Sequence, residues 1–117
     1  MPRLFNEQNR PVRCPFCGTE IPRPKELDGG LWYEFDGGFC SCGAAYALDP
    51  TARNGGQVLL QALVMASGGD WDRALGLAPG VDYDDICLRR YDAYSHRLSS
   101  TAFASLYFIR LRRPETS

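Results

Sequence analysis

Five cysteines stand in this sequence, and four of them form two close pairs. Cys14-Pro15-Phe16-Cys17 is followed by Gly18, and Cys40-Ser41-Cys42 is followed by Gly43. A thiolate is a soft donor, and this spacing puts two sulfurs on one side of a tight turn whose backbone amides can point at them. Glycine after the second sulfur lets the chain double back, and Pro15 stiffens the first turn by fixing its φ. Twenty-two residues separate Cys17 from Cys40, enough for a loop and one arm of a hairpin. The chemistry this predicts is one structural zinc ion per chain, held by Cys14, Cys17, Cys40 and Cys42. Four thiolates complete a tetrahedron, so such an ion keeps no position for water or substrate. Other uses of these residues stay open: iron in a rubredoxin-like site, redox cycling of Cys14 with Cys17, or burial of unligated thiols as small apolar groups. A redox pair normally opens a helix after a strand, whereas Pro22 and Pro24 follow here. An odd number of cysteines does not suit a disulfide framework.

The two cysteine turns, each with its following glycine, resemble the knuckles of the zinc-ribbon superclass over roughly residues 12–48. The second has one residue between its cysteines where the superclass usually has two. What the resemblance implies is a ribbon of short antiparallel strands around the metal, and for many such ribbons a place in transcription or translation. A looser resemblance to small bacterial zinc-ribbon proteins brings no activity with it.

The elements that must position these cysteines follow from period and punctuation. Residues 1–13 read as an arm or first strand. Glu20 to Gly30 reads as a connecting loop. Leu31 to Phe35 is aromatic and loosely alternating, Asp36-Gly37-Gly38 is a turn signal, and Ala44 to Leu48 is a second short strand. Together they predict a hairpin carrying half of the metal site. Thr51 to Gly56 is polar and marks a boundary, after which the period changes. Val58, Leu59, Ala62, Leu63 and Ala66 recur at helical spacing, with further apolar residues around them, as in a buried helix ended by Gly68-Gly69. Asp70 can cap a short helix from Trp71 to Leu77. The stripe Tyr83, Ile86, Cys87, Tyr91, Tyr94 and Leu98 predicts a third helix starting at Asp82, with Asp85 and Arg89 as a supporting pair. Ser105 to Arg112 alternates as a strand, Tyr107, Ile109 and Leu111 to one side and Arg110 and Arg112 to the other. The expected architecture is α+β: a zinc ribbon over residues 1–50, packed against two or three helices and closed by a late strand over residues 51–117.

Composition narrows the function. The chain has 117 residues, 44% hydrophobic and 23% charged, which suits one globular domain and not disorder. A ribbon of about 40 residues rarely has enough core to fold without its metal. Thirteen bases meet 14 acids, a balance that argues against non-specific gripping of nucleic acid. The charge is uneven: residues 28–87 carry 9 acids and 2 bases, and residues 88–117 carry 6 bases and 2 acids. The first 20 residues show no apolar core, so no signal peptide is expected, and no apolar run reaches the length of a membrane span. A reducing, cytoplasmic setting is the expectation.

Residues outside the cysteine pairs offer less. Cys87 lies on an apolar stripe and reads as a buried thiol. On a helix Asp92 and His96 would share a face, an ordinary pair or an oriented base, while Cys87 and His96 would point apart. Arg110, Arg112 and Arg113, with Arg89 and Arg90, are candidates for an anion-binding patch. Asp70, Asp72, Asp82, Asp84 and Asp85 gather near the predicted helix starts. Trp71, beside a capped short helix, is a candidate anchor for a partner. These readings favour a non-catalytic protein-protein interaction module or accessory subunit. Nucleic-acid or ribonucleoprotein binding is the alternative, and an enzyme using His96 and Asp92 is the third reading.

Overall fold

A computed structural model describes residues 9–27 and 33–112 of the chain. Six strands form one antiparallel sheet in the order β1-β5-β4-β6-β3-β2. They are β1 (Asn9–Pro11), β2 (Gly37–Phe39), β3 (Ala45–Asp49), β4 (Tyr83–Asp92), β5 (Arg97–Ser99) and β6 (Ala104–Leu111). Two helices, α1 (Gly55–Ala66) and α2 (Trp71–Leu75), lie between β3 and β4 in the chain. The late strand is thus central, with β4 on one side and β3 on the other.

Both faces of the central strands are covered. Alternation along β6 sends Tyr107, Ile109 and Leu111 to α1, where they join Val58, Ala62, Val64 and Met65. Leu106 and Phe108 face the other way, into a cluster with Val12, Cys14, Ile21, Cys40, Tyr46 and Tyr91. β3 is buried along its whole length, which explains why Ala44 to Leu48 reads as an apolar run without clear alternation. The predicted helix α1 forms, and Gly68 and Gly69 end it by donating to the Met65 and Val64 carbonyls. Asp70 caps α2 by accepting from the Arg73 amide, 3.0 Å away, and the helix stops at Leu75, two residues short of the expected end.

The predicted third helix does not form: Tyr83–Asp92 is a strand and Arg97–Ser99 another, joined by a turn. Its apolar residues fall at helical spacing for two reasons. A strand that carries apolar side chains on both faces shows no strict alternation: Ile86 and Leu88 lie on the cysteine side, while Tyr83 and Cys87 lie on the other, opposite Leu111 and Tyr107. A β-bulge then inserts Arg90, at φ 62°, between Arg89 opposite Ser105 and Tyr91 opposite Ala104. The extra residue reverses the parity and turns Tyr91 to the cysteine side. Asp82, expected as the cap of that helix, instead accepts from the Ala78 amide at 2.8 Å.

The expected hairpin also shifts. Leu31 and Trp32 lie outside the described residues, and Tyr33–Asp36 is not a strand. Its Phe35 is held by a two-way bond with the buried Gln61 of α1: Phe35 N to Oε1 at 3.1 Å and Nε2 to Phe35 O at 2.8 Å. Gly37 and Gly38 do not turn the chain. They pair with Ala47 and Tyr46 in the sheet, where a Cβ at Gly37 would meet the Tyr46 carbonyl and one at Gly38 the Tyr46 hydroxyl. Glycine serves here to let two strands approach over a buried tyrosine.

Candidate metal centre

The turn of the β2–β3 hairpin is the second cysteine pair itself. Cys40 N donates to Ala44 O at 2.8 Å and Gly43 N returns to Cys40 O at 2.9 Å, with Gly43 at φ 100°. The first pair sits in a similar loop after β1. Gly18 N donates to Cys14 O and Cys14 N to Thr19 O, both at 2.8 Å, with Gly18 at φ 81°. Side chains at these two glycines would strain the turn that aims the sulfurs. An exposed Arg13–Glu20 pair at 3.5 Å closes the base of the first loop.

These loops bring the Sγ atoms of Cys14, Cys17, Cys40 and Cys42 within 4.8 Å of one another. Cys14 and Cys42 are 3.8 Å apart and Cys17 and Cys40 3.5 Å apart, too far for disulfides. Four sulfurs placed about 2.3 Å from one zinc ion would be separated by about 3.8 Å along each tetrahedral edge. The cluster has the donor number, donor type and size for a metal ion such as zinc.

The electrostatics fit the same reading. Cys14 and Cys40 are buried, Cys42 is half-buried and Cys17 is exposed. Burial pushes the Cys14 thiol up to about 12, against the amides of Cys17 and Phe16 that favour its thiolate. Burial raises Cys40 as well, with the Cys42 amide acting the other way. Hydrogen bonds from the Thr19 side chain and amide bring Cys17 down to about 6. A buried thiolate is unfavourable unless a cation shares the space, and a divalent metal held by the four sulfurs would be such a cation. Thr19, aimed at Cys17, is a contributor that the sequence reading missed; its only signal was a hydroxyl two residues past a cysteine.

The loop leaving the first knuckle is pinned from three sides. Tyr46 donates its hydroxyl to Pro22 O at 2.6 Å, and Arg23 Nη1 donates to Ala93 O at 2.6 Å. His96 lies with Nε2 2.8 Å from Ile21 O and Nδ1 2.8 Å from the Tyr91 hydroxyl. The imidazole therefore donates from Nε2 to the carbonyl and accepts from Tyr91. His96 and Asp92 belong to one turn, not one helix face. Asp92 Oδ1 accepts the Tyr94 amide at 2.9 Å, and its carbonyl accepts the His96 amide. Neither group orients the other as an acid-base pair.

The remaining candidates separate. Arg112 forms a two-pronged pair with Asp84 at 2.6 and 3.1 Å, and Arg110 stacks over Phe16 with its guanidinium carbon 4.9 Å from the ring centroid. Arg113 lies outside the described residues. Arg89 and Arg90, expected on a helix, lie at the β4 bulge, with Arg90 as its extra residue. Trp71 is half-buried and packs on the helix-side core. It lines a cavity of about 300 Å³ with Tyr33, Phe35, Leu60 and Gln57. Cys87 is half-buried beside Tyr107, and no helix among the described residues is long and apolar enough to cross a membrane. No protein-family model matches the chain, and neither does any curated protein or solved structure.

Proposed function

We propose that this protein is a small zinc-ribbon-like interaction module: a zinc ion held by Cys14, Cys17, Cys40 and Cys42 fixes its shape, and its work is to bind another protein, not to catalyse. The observation that carries the metal half is the cluster of four sulfurs within 4.8 Å of one another. Four thiolates satisfy zinc completely, so the ion serves structure, and the site is of ribbon type because each cysteine pair sits in a short turn closed by glycine. A reducing compartment, the cytoplasm, keeps such thiols available.

The interaction half is supported by the surface around Trp71. A half-buried tryptophan beside aromatic Tyr33 and Phe35, with acids Asp70 and Asp72 close in the chain, has the make-up of an apolar anchor inside a polar rim. The same near-neutral charge that favours a protein partner disfavours a nucleic acid.

Elemental analysis of purified protein tests the metal, with about one zinc per chain expected and iron, or no metal in folded protein, against it. Affinity capture from extract, with and without nuclease, tests the partner class. Replacing Trp71 with Ala should weaken capture at unchanged zinc content and nearly unchanged Tm. A melt lowered by about 3–5 kcal/mol of stability would instead make Trp71 a packing residue.

A further inference from the structure

We infer that Arg110 is a positioning residue for the metal centre: its guanidinium offsets the negative charge of the cysteine cluster and ties both knuckles to β6. The inference rests on the metal reading above. A divalent cation with four thiolates carries two net negative charges, and a half-buried site is stabilised by a cation placed nearby.

Arg110 and Arg112 project from the same face of β6, yet their surroundings differ. Arg112 gives Nε and Nη2 to Asp84, so its charge is matched on the spot. Arg110 stands directly across the ladder from Asp84 and its charge favours that carboxylate, but among the described residues it makes no close ion pair with one. It lies instead over the ring of Phe16, between Cys14 and Cys17 in the first knuckle. It also lines, with Asp84 and Arg112, a surface cavity of about 580 Å³ that includes Cys42 and Gly43 of the second knuckle. One side chain thus reaches both halves of the cluster. Arginine suits this role because a planar guanidinium stacks on an aromatic face and keeps its charge.

Zinc affinity, measured by competition with a chromophoric chelator on the full chain, tests the role. Arg110→Gln should weaken binding about tenfold or more, as loss of an outer partner of metal ligands does. The loss should shrink as salt is raised, because screening weakens the lost attraction. Arg110→Lys keeps the charge and should recover part of the affinity, and Arg112→Gln should change it less than about twofold by the same reasoning. Thiolate-to-cobalt absorption in the cobalt-loaded variants should show the same four-sulfur coordination as wild type. Unchanged affinity in Arg110→Gln overturns the inference. So does Arg110→Lys no better than Arg110→Gln, or a loss in Arg112→Gln equal to that in Arg110→Gln. Should Arg110→Gln fail to fold, Phe16→Leu decides: it keeps bulk but removes the stacking face, and unchanged affinity there defeats the proposal. Wild type binding no zinc sinks the metal reading itself, whereas wild type binding zinc as tightly as Arg110→Gln sinks only the part given to Arg110.

Discussion

The two faces of the sheet are built by different means. On the helix face, one continuous segment, α1, lays Val58, Ala62, Val64 and Met65 against Ala45, Ala47 and Ile109. Apart from the Gln61–Phe35 bonds its packing is apolar, and the helix that supplies it forms from neighbouring residues. On the cysteine face no helix is present among the described residues. Segments far apart in the chain meet there: Val12, Cys14 and Ile21 from the first loop, Cys40 and Tyr46 from the hairpin, Tyr91 and Phe108 from the last strands. Polar ties hold them in place, the Tyr46 hydroxyl on Pro22 and the Tyr91–His96–Ile21 chain among them. One face gains its stability from buried apolar area. The other fixes loops with little regular structure of their own through hydrogen bonds, and the metal ion proposed above would add to them.

The comparison can be broken most directly at the metal. Replacing Cys40 with Ser should abolish zinc binding and cost more than any other change, since structural zinc contributes about 10–16 kcal/mol of apparent free energy in small peptides. Amide exchange should then quicken at Cys14, Gly18 and Gly43, whose amides close the two knuckles, while α1 amides stay protected. Equal loss of protection in α1 would mean that the faces do not unfold separately.

Adjacent residues of β6 sharpen the contrast. Phe108 and Ile109 are both fully buried, on opposite faces. Phe108→Ala should cost about 3–5 kcal/mol and Ile109→Ala about 2–5 kcal/mol by denaturant unfolding. Only Phe108→Ala should also weaken zinc binding, because its ring packs 5.1 Å from that of Tyr46, beside the cysteines. A similar effect of Ile109→Ala on the metal would contradict the division.

Smaller effects are expected at the ties. Tyr91→Phe removes the hydroxyl that donates to His96 Nδ1, leaves a half-buried acceptor without its partner, and should lower stability by about 1–3 kcal/mol. Burial already pushes the Tyr91 hydroxyl up to about 12, so at neutral pH it is a donor. Thermal melts of Tyr91→Phe and wild type compare the two, and identical curves would show that the tie is not needed.

The least change should come from Asp84→Asn. Hydrogen bonds from Arg112 hold the Asp84 carboxyl below its ordinary value. A carboxylate with a depressed folded pKa stabilises fully above its unfolded pKa of about 3.9, and that contribution disappears as pH falls through the folded value. The pair is exposed, so the difference in Tm between wild type and Asp84→Asn should be small at pH 7 and vanish in acid. Any loss of the proposed metal in acid is common to both proteins and cancels from the difference. A gap that widens toward low pH would reverse the sign argued here.

The amino-acid sequence by itself determined the features that are local. Two cysteine turns with their glycines, the apolar period of α1, the Asp70 cap and the alternation of β6 were all legible, because each depends on residues within a turn or two of one another. Tertiary structure decided the rest. A helical pattern from Tyr83 to Leu98 became two strands because β6 offered a partner along most of β4, and a single bulged residue, Arg90, scrambled the parity by which a strand is recognised. Gly37 and Gly38 looked like a turn and serve as clearance for Tyr46, a contact set by a neighbouring strand. The partners of Arg110, Arg112 and His96 were illegible for the same reason. Ion pairs, ring contacts and carbonyl acceptors are chosen by what the fold brings near, up to 75 positions away in the case of His96 and Ile21.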